Sequence, residues 1–132
     1  FKDDAFYVRE KVFMEEQGYS DEFDAFDEQA IHFVLYDDNR PIGCARAYPD
    51  PEDGNRYIVG RVAVLPAFRK EGYGQLLVKE CERAICKEGG SEVRLHAQEY
   101  VEGWYNTMGF KRFGEVDYED EGQPHIWMKK VL

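Results

Sequence analysis

The feature that most constrains this chain is a change of period between residues 57 and 88. Tyr57 to Val64 (Y-I-V-G-R-V-A-V) is β-branched and mostly apolar, the composition of a strand buried on both faces. Pro66 stops it, and from Tyr73 onward Tyr73, Leu77, Cys81, Ala84 and Ile85 recur with the spacing of one helix face. Between strand and helix lies Arg69-x-x-Gly72-x-Gly74. Its glycines allow a tight turn with backbone N–H groups close to a ligand. The helix start adds unsatisfied donors and partial positive charge. Arg69 and Lys70 add two full charges, so the turn predicts a phosphate or pyrophosphate site.

Two familiar phosphate loops do not fit. A Walker loop needs Gly-Lys-Ser/Thr, whereas Gln75-Leu76 follows Gly74. The dinucleotide fingerprint needs a third glycine where Leu77 stands. The competing bland reading is an ordinary strand–turn–helix corner.

A length of 132 residues predicts one domain over 1–132. No apolar run approaches the ~18 residues of a membrane span, and no basic-plus-apolar leader is visible, although the chain begins at Phe1. Cys44, Cys81 and Cys86 are an odd number without metal spacing, and all lie in strand or helix patterns. They read as buried, reduced thiols of a cytoplasmic protein. A net charge of −10 opposes binding to nucleic acid or anionic lipid and favours approach of a cationic substrate.

Asp3 and Asp4 can cap a first helix with Ala5, Val8, Val12 and Phe13 on one face, ended by Gly18. Residues 15–28 are acidic with interleaved aromatics. They read either as a solvated loop or as part of a pocket for a cationic amine. Ala30–Tyr36 and Pro41–Tyr48 are predicted strands joined by a hairpin turn at 37–40, and Pro49–Asn55 reads as a turn-rich loop. After the central helix, Glu92–Ala97 is a strand parallel to the organising one. Val101, Trp104, Tyr105 and Met108 mark a short helix ended by Gly109. Phe110–Val116 is a predicted strand, 117–123 an acidic turn, and Pro124–Val131 a last strand.

With V-A-V-x-P before it and an amphipathic helix after it, Arg69-x-x-Gly72-x-Gly74 resembles the acyl-coenzyme-A signature of the GNAT-type N-acetyltransferases. Trp104-Tyr105-Asn106-Thr107-Met108-Gly109-Phe110 looks like that family's F-Y-x-x-x-G-F segment, and Gln98 takes a position where it often carries Asn. The runs Val8–Gln17, Leu95–Gln98 and Glu121–His125 resemble the small bacterial ElaA-like branch. The resemblance covers essentially the whole chain. It implies an α/β fold in which a mixed central sheet combines an antiparallel N-terminal meander, a splayed parallel pair at the coenzyme cleft, and flanking helices. The family opens with a strand before the first helix, and Phe1-Lys2 leaves almost no room for it, so that strand is expected to be missing or truncated.

The resemblance further implies acetyl-CoA as co-substrate and no metal. Coenzyme contacts fall on Val62, Ala63, Val64, Arg69, Lys70, Gly72, Tyr73, Gly74, Gln98 and Tyr105. A backbone N–H near Val64 would polarise the thioester carbonyl. Tyr105 is the candidate general acid, its rival role being that of a core tyrosine. For the base the sequence offers Glu28, His32, His96 and His125; His96 is preferred because it lies near the carboxyl end of the strand paired with the coenzyme strand. Each of these four, taken singly, is more commonly structural. The expected reaction is direct attack of a primary amine, of a small molecule or a peptide, in a ternary complex. The alternative is a coenzyme-binding sensor or interaction module without turnover. Dimerisation is common in the family.

Overall fold

The computed structural model describes residues 2–20 and 23–132. Helix α1 (Lys2–Arg9) carries Asp3 and Asp4 in its first turn, where they complement the helix dipole instead of capping it. It continues as a π-helical stretch, Glu10–Glu16, and the chain leaves through Gly18 at φ 82°. Ala5, Val8 and Val12 form one buried stripe against Cys44 and Ala63. The missing-strand expectation concerns Phe1-Lys2. Phe1 lies outside the described residues, and Lys2 already belongs to α1.

The meander consists of β1 (Ile31–Asp37), β2 (Arg40–Asp50) and β3 (Asp53–Val64). Asp38 and Asn39 take positive φ, 49° and 71°, as a two-residue hairpin turn requires. The expected loop at 49–55 is shorter than its composition indicated. Pairing runs on through Pro49–Tyr57 to Asp50–Asp53, and a hydrogen bond of 2.7 Å from Arg56 Nε to Asp50 holds the strand ends together.

Helix α2 (Tyr73–Lys87) crosses over to β4 (Glu92–Gln98), which lies parallel to β3. Leu77, Val78, Cys81 and Ile85 of α2 share one core cluster with Ala45 and Ala47 of β2, Val59 of β3, and Val93, Leu95 and Ala97 of β4. A short helix α3 (Glu102–Asn106) follows, then β5 (Lys111–Arg112), β6 (Asp117–Asp120) and β7 (Gln123–Val131). The sheet order is β1-β2-β3-β4-β7-β5, with β6 also paired to β7.

Three further expectations are corrected here. The strand at 110–116 shrinks to Lys111–Arg112, because its pairing with β7 ends where Phe113 N–H meets Trp127 C=O at 3.1 Å. The acidic turn at 117–123 is mostly strand, and only Glu121 and Gly122, at φ 52° and 75°, make the turn. Cys44 and Cys81 are buried, but Cys86 is exposed, so the third thiol is not a core residue.

Candidate active site

The glycine turn is built by backbone conformations that few residues adopt. After a 3₁₀ turn at Pro66–Phe68, Lys70 has φ 67° and Gly72 has φ 82° at the N-cap of α2. Gly72 is there for its left-handed backbone, with open space around it. Gly74 serves a different need: a Cβ on it would lie 2.9 Å from Trp104 Cζ2. The N–H groups of Tyr73, Gly74 and Gln75 precede the first bond of the helix, Leu76 N–H to Gly72 C=O at 3.1 Å. They open the N-terminus of a 15-residue helix, the end whose donors and partial positive charge favour an anion.

The two cations expected at this turn stand in different surroundings. Lys70 is exposed, but the Arg69 guanidinium is engaged. Its Nη1 and Nη2 donate to the two carboxylate oxygens of Glu16, at 2.8 and 2.6 Å, and its Nε donates to Val64 C=O at 2.9 Å. The bond from Arg69 outweighs desolvation and holds the Glu16 carboxyl below its usual range.

The cleft beside the turn opens because β3 and β4 stop pairing. Their parallel rungs are Arg56–Glu92, Tyr57–Val93 and Ile58–Arg94. Beyond Ile58, a register shift against β2 puts an extra residue into β3, and Arg61 sits there at φ 53°. The diverging strand ends enclose a cavity of about 640 Å³. Leu65 N–H bonds Ile42 C=O of β2. By strand alternation the N–H and C=O of Val64 therefore face the opposite, open edge. Val62, Ala63, Val64, Arg69, Lys70, Gly72, Tyr73, Gly74, Gln98 and Tyr105 all line this cavity, as does His96.

Tyr105 and His96 approach from opposite faces of the sheet. Tyr105 of α3 belongs to the core cluster on the α2 side, with Leu95, Ala97 and Phe110. Burial, with Cys81 nearby, pushes its phenol above the usual range, so it stays protonated across the ordinary pH range. His96 lies on the other face of β4, stacked between His125 (4.7 Å between ring centres) and Trp127 (4.8 Å). Its Nε2 bonds the Asp117 carboxylate at 2.9 and 3.0 Å. A carboxylate only accepts, so Nε2 is the donor in this bond, and in the neutral ring the lone pair is on Nδ1. Burial opposes ionisation of Asp117, but the His96 bond and the Glu119 N–H hold its carboxyl below the usual range.

The structure separates the four candidate bases. His96 and His125 line the cavity, whereas Glu28 and His32 do not. Glu28 is exposed, and His32 Nε2 is bonded to Asp27 C=O at 2.8 Å. His125 Nδ1 bonds Gln123 C=O at 3.0 Å, which leaves its Nε2 3.6 Å from Asp120.

Most of the described carboxylates of the acidic loop that pair with cations do so with the chain's own arginines. Asp27 receives Arg9 at 2.6 and 3.1 Å and Arg46 at 2.9 Å. Asp24 receives Arg46 at 2.6 and 3.0 Å and Arg61 at 3.4 Å. Desolvation resists, yet the bonds from Arg9 and Arg46 hold Asp27 well below the usual carboxylate range. The loop therefore braces α1 against β2, with Asp21 and Glu22 outside the described residues. Gln17 and Tyr19, within the 15–28 stretch that was open to reading as part of a pocket, line the cavity from just beyond the π-helical stretch; sequence reasoning missed Asp117, which orients His96. The alternation of apolar and acidic residues at 116–119 (V-D-Y-E) was the available signal for β6.

Comparison with known proteins gives a consistent result. The family model described as the acetyltransferase (GNAT) domain matches residues 2–132. The uncharacterized N-acetyltransferase YjcF of Bacillus subtilis is 34% identical over 129 residues, covering 96% of this chain and 90% of that protein. The crystal structure of Escherichia coli ElaA superposes with a TM-score of 0.85 at 27% identity, covering 96% of this chain and 87% of the other. An aminoglycoside 6'-N-acetyltransferase complexed with coenzyme A shares the fold, with a TM-score of 0.76 at 18% identity over 98% of this chain and 89% of that one.

Proposed function

The chain belongs to the GNAT acetyltransferase family, and from that premise we propose that residues 1–132 act as one catalytic domain moving an acetyl group from acetyl-CoA to a primary amine. Membership makes the protein an acyltransferase that takes its acyl group from coenzyme A. The acetyl donor, the amine acceptor, the direct transfer and the cytoplasmic setting are the finer parts of the reading. One observation carries it: pairing between β3 and β4 ends at Ile58–Arg94, and the cavity beyond is lined by Tyr105 from one face and His96 from the other.

The pyrophosphate is held by the N–H groups that open α2, with Lys70 beside them, and the pantetheine arm runs along the open edge of β3 at Val62–Val64. The amine nitrogen attacks the thioester carbonyl carbon, forming the C–N bond, and its proton passes to His96 Nδ1. The oxyanion that develops is stabilised by the Val64 N–H; a donor so placed is typically worth ~10²–10³ in rate. Collapse breaks the C–S bond, and the departing thiolate takes the Tyr105 proton. Support for Tyr105 comes from its burial, which keeps the phenol protonated. Support for His96 comes from Asp117, which fixes its tautomer. Asp120, at the His125 end of the cavity, supports an acceptor with a second positive charge.

Calorimetric titration with acetyl-CoA, followed by thiol release across a panel of amines and alcohols, tests the reading. Binding with amine-dependent thiol release is the expected result. Absence of binding, or release with alcohols alone, overturns it.

A further inference from the structure

Residues 16–20 form a strap across the mouth of the cleft, fastened to three elements on its far side. Glu16 holds Arg69 of the glycine turn through both carboxylate oxygens, at 2.6 and 2.8 Å. Gln17 Oε1 accepts from Gln98 Nε2, at the end of β4, at 2.8 Å. The Ser20 N–H and hydroxyl both donate to the Glu121 carboxylate of the β6–β7 turn, at 3.0 Å. The strap starts from a π-helical stretch, whose Gln17 N–H bonds Val12 C=O at 3.1 Å, and turns at Gly18 with φ 82°. Phe13, Gln17 and Tyr19 line the cavity beneath it.

What Glu16 does to Arg69 matters for coenzyme binding. Nε, Nη1 and Nη2 of Arg69 are all engaged within the chain, and Nε lies on Val64 C=O at the open edge of β3. A pantetheine arm along that edge needs the Val64 carbonyl, and a pyrophosphate at the α2 N-terminus would attract the guanidinium. The Glu16 and Arg69 side chains are each 38% exposed, so water weakens their mutual attraction. A pyrophosphate brings more negative charge to the same cation and repels the Glu16 carboxylate.

We propose that Glu16 is a positioning residue for the coenzyme: it latches Arg69 against the edge of β3, and coenzyme binding exchanges Glu16 for phosphate, loosening the 16–20 strap over the acceptor end of the cavity. This rests on the reading that the glycine turn holds the pyrophosphate. The exchange makes the acceptor end more accessible once coenzyme is in place. It also gives the two sites a reciprocal coupling through one side chain.

The test is calorimetric titration with coenzyme A of the parent, Glu16→Gln and Glu16→Asp, at two salt concentrations. It is joined by amide hydrogen exchange of the parent with and without coenzyme A. Glu16→Gln should bind about two- to fivefold tighter, the worth of an exposed ion pair removed from the unbound state. Its affinity should also fall more steeply with salt, because its Arg69–phosphate pair forms with no Glu16 pair given up in exchange. Glu16→Asp, which keeps the charge, should stay near the parent. Amides 17–20 of the parent should exchange faster with coenzyme bound. Equal or weaker binding by Glu16→Gln, or unchanged or slower exchange at 17–20, overturns the latch. If the parent itself does not bind coenzyme A, the coenzyme site falls, and the latch falls with it.

Discussion

Ile58 and Arg94 form the last rung of the parallel pair between β3 and β4. Past that rung the two strands share no ladder, and their facing edges offer backbone groups to whatever lies between them. The divergence lets a tyrosine from the α2 face and a histidine from the α1 face line one space. Two groups on opposite sides of a continuous sheet could not serve one reaction centre.

Tyr105→Phe removes a hydroxyl and little volume. Thiol release from acetyl-CoA should fall ~10²–10⁴-fold, while coenzyme affinity measured by calorimetry stays within about twofold of the parent. Unchanged turnover would remove Tyr105 as the proton donor.

His96→Gln should lower thiol release ~10²–10⁴-fold while coenzyme affinity measured by calorimetry stays near that of the parent. Asp117→Asn should lower the rate as well, because an amide no longer fixes the proton on Nε2. Unchanged turnover in His96→Gln would remove it as the base.

Asp27 joins Arg9 and Arg46, both almost fully buried. Asp27→Asn should destabilise the fold by ~3–5 kcal/mol, because it leaves buried guanidinium charge short of a partner. The folded Asp27 titrates below its ordinary value of 3.8. Its contribution is therefore complete above that pH and is lost as pH falls through the lower, folded value. Urea midpoints measured across acid pH should drop steeply in the parent and less steeply in Asp27→Asn.

The two glycines of the turn should respond differently to alanine. Gly74→Ala drives a Cβ to 2.9 Å from Trp104 Cζ2, so it should displace that ring, shift tryptophan fluorescence and weaken coenzyme binding. Gly72→Ala meets open space but must hold φ 82°, at a cost of ~1 kcal/mol or more in stability, seen as a lower Tm.

Of the three cysteines, only Cys86 is exposed. A thiol reagent should label one equivalent in the native protein and three after denaturation. Burial pushes the Cys81 thiol up and keeps it from forming a reactive thiolate.

The sequence by itself determined the organising unit. The apolar run ending at Pro66, the glycines at 72 and 74, and the helical spacing from Tyr73 are local signals, and local signals survive in any fold that contains them. The glycine-turn side of the cavity was legible for that reason, as was the short helix that carries Tyr105. β6 was not, because Asp117–Asp120 reads as a turn until β7 supplies its ladder. Nor was the fate of the charged residues. Asp24 and Asp27, open to reading as an amine pocket, are occupied by Arg9, Arg46 and Arg61, and Arg69, expected as a cation for phosphate, is occupied by Glu16, 53 residues away in the chain. A charge's partner is set by three-dimensional distance and by desolvation, and neither is encoded in sequence spacing. Tertiary structure alone decided which cavity histidine hydrogen-bonds a carboxylate: His96, with Asp117 of β6.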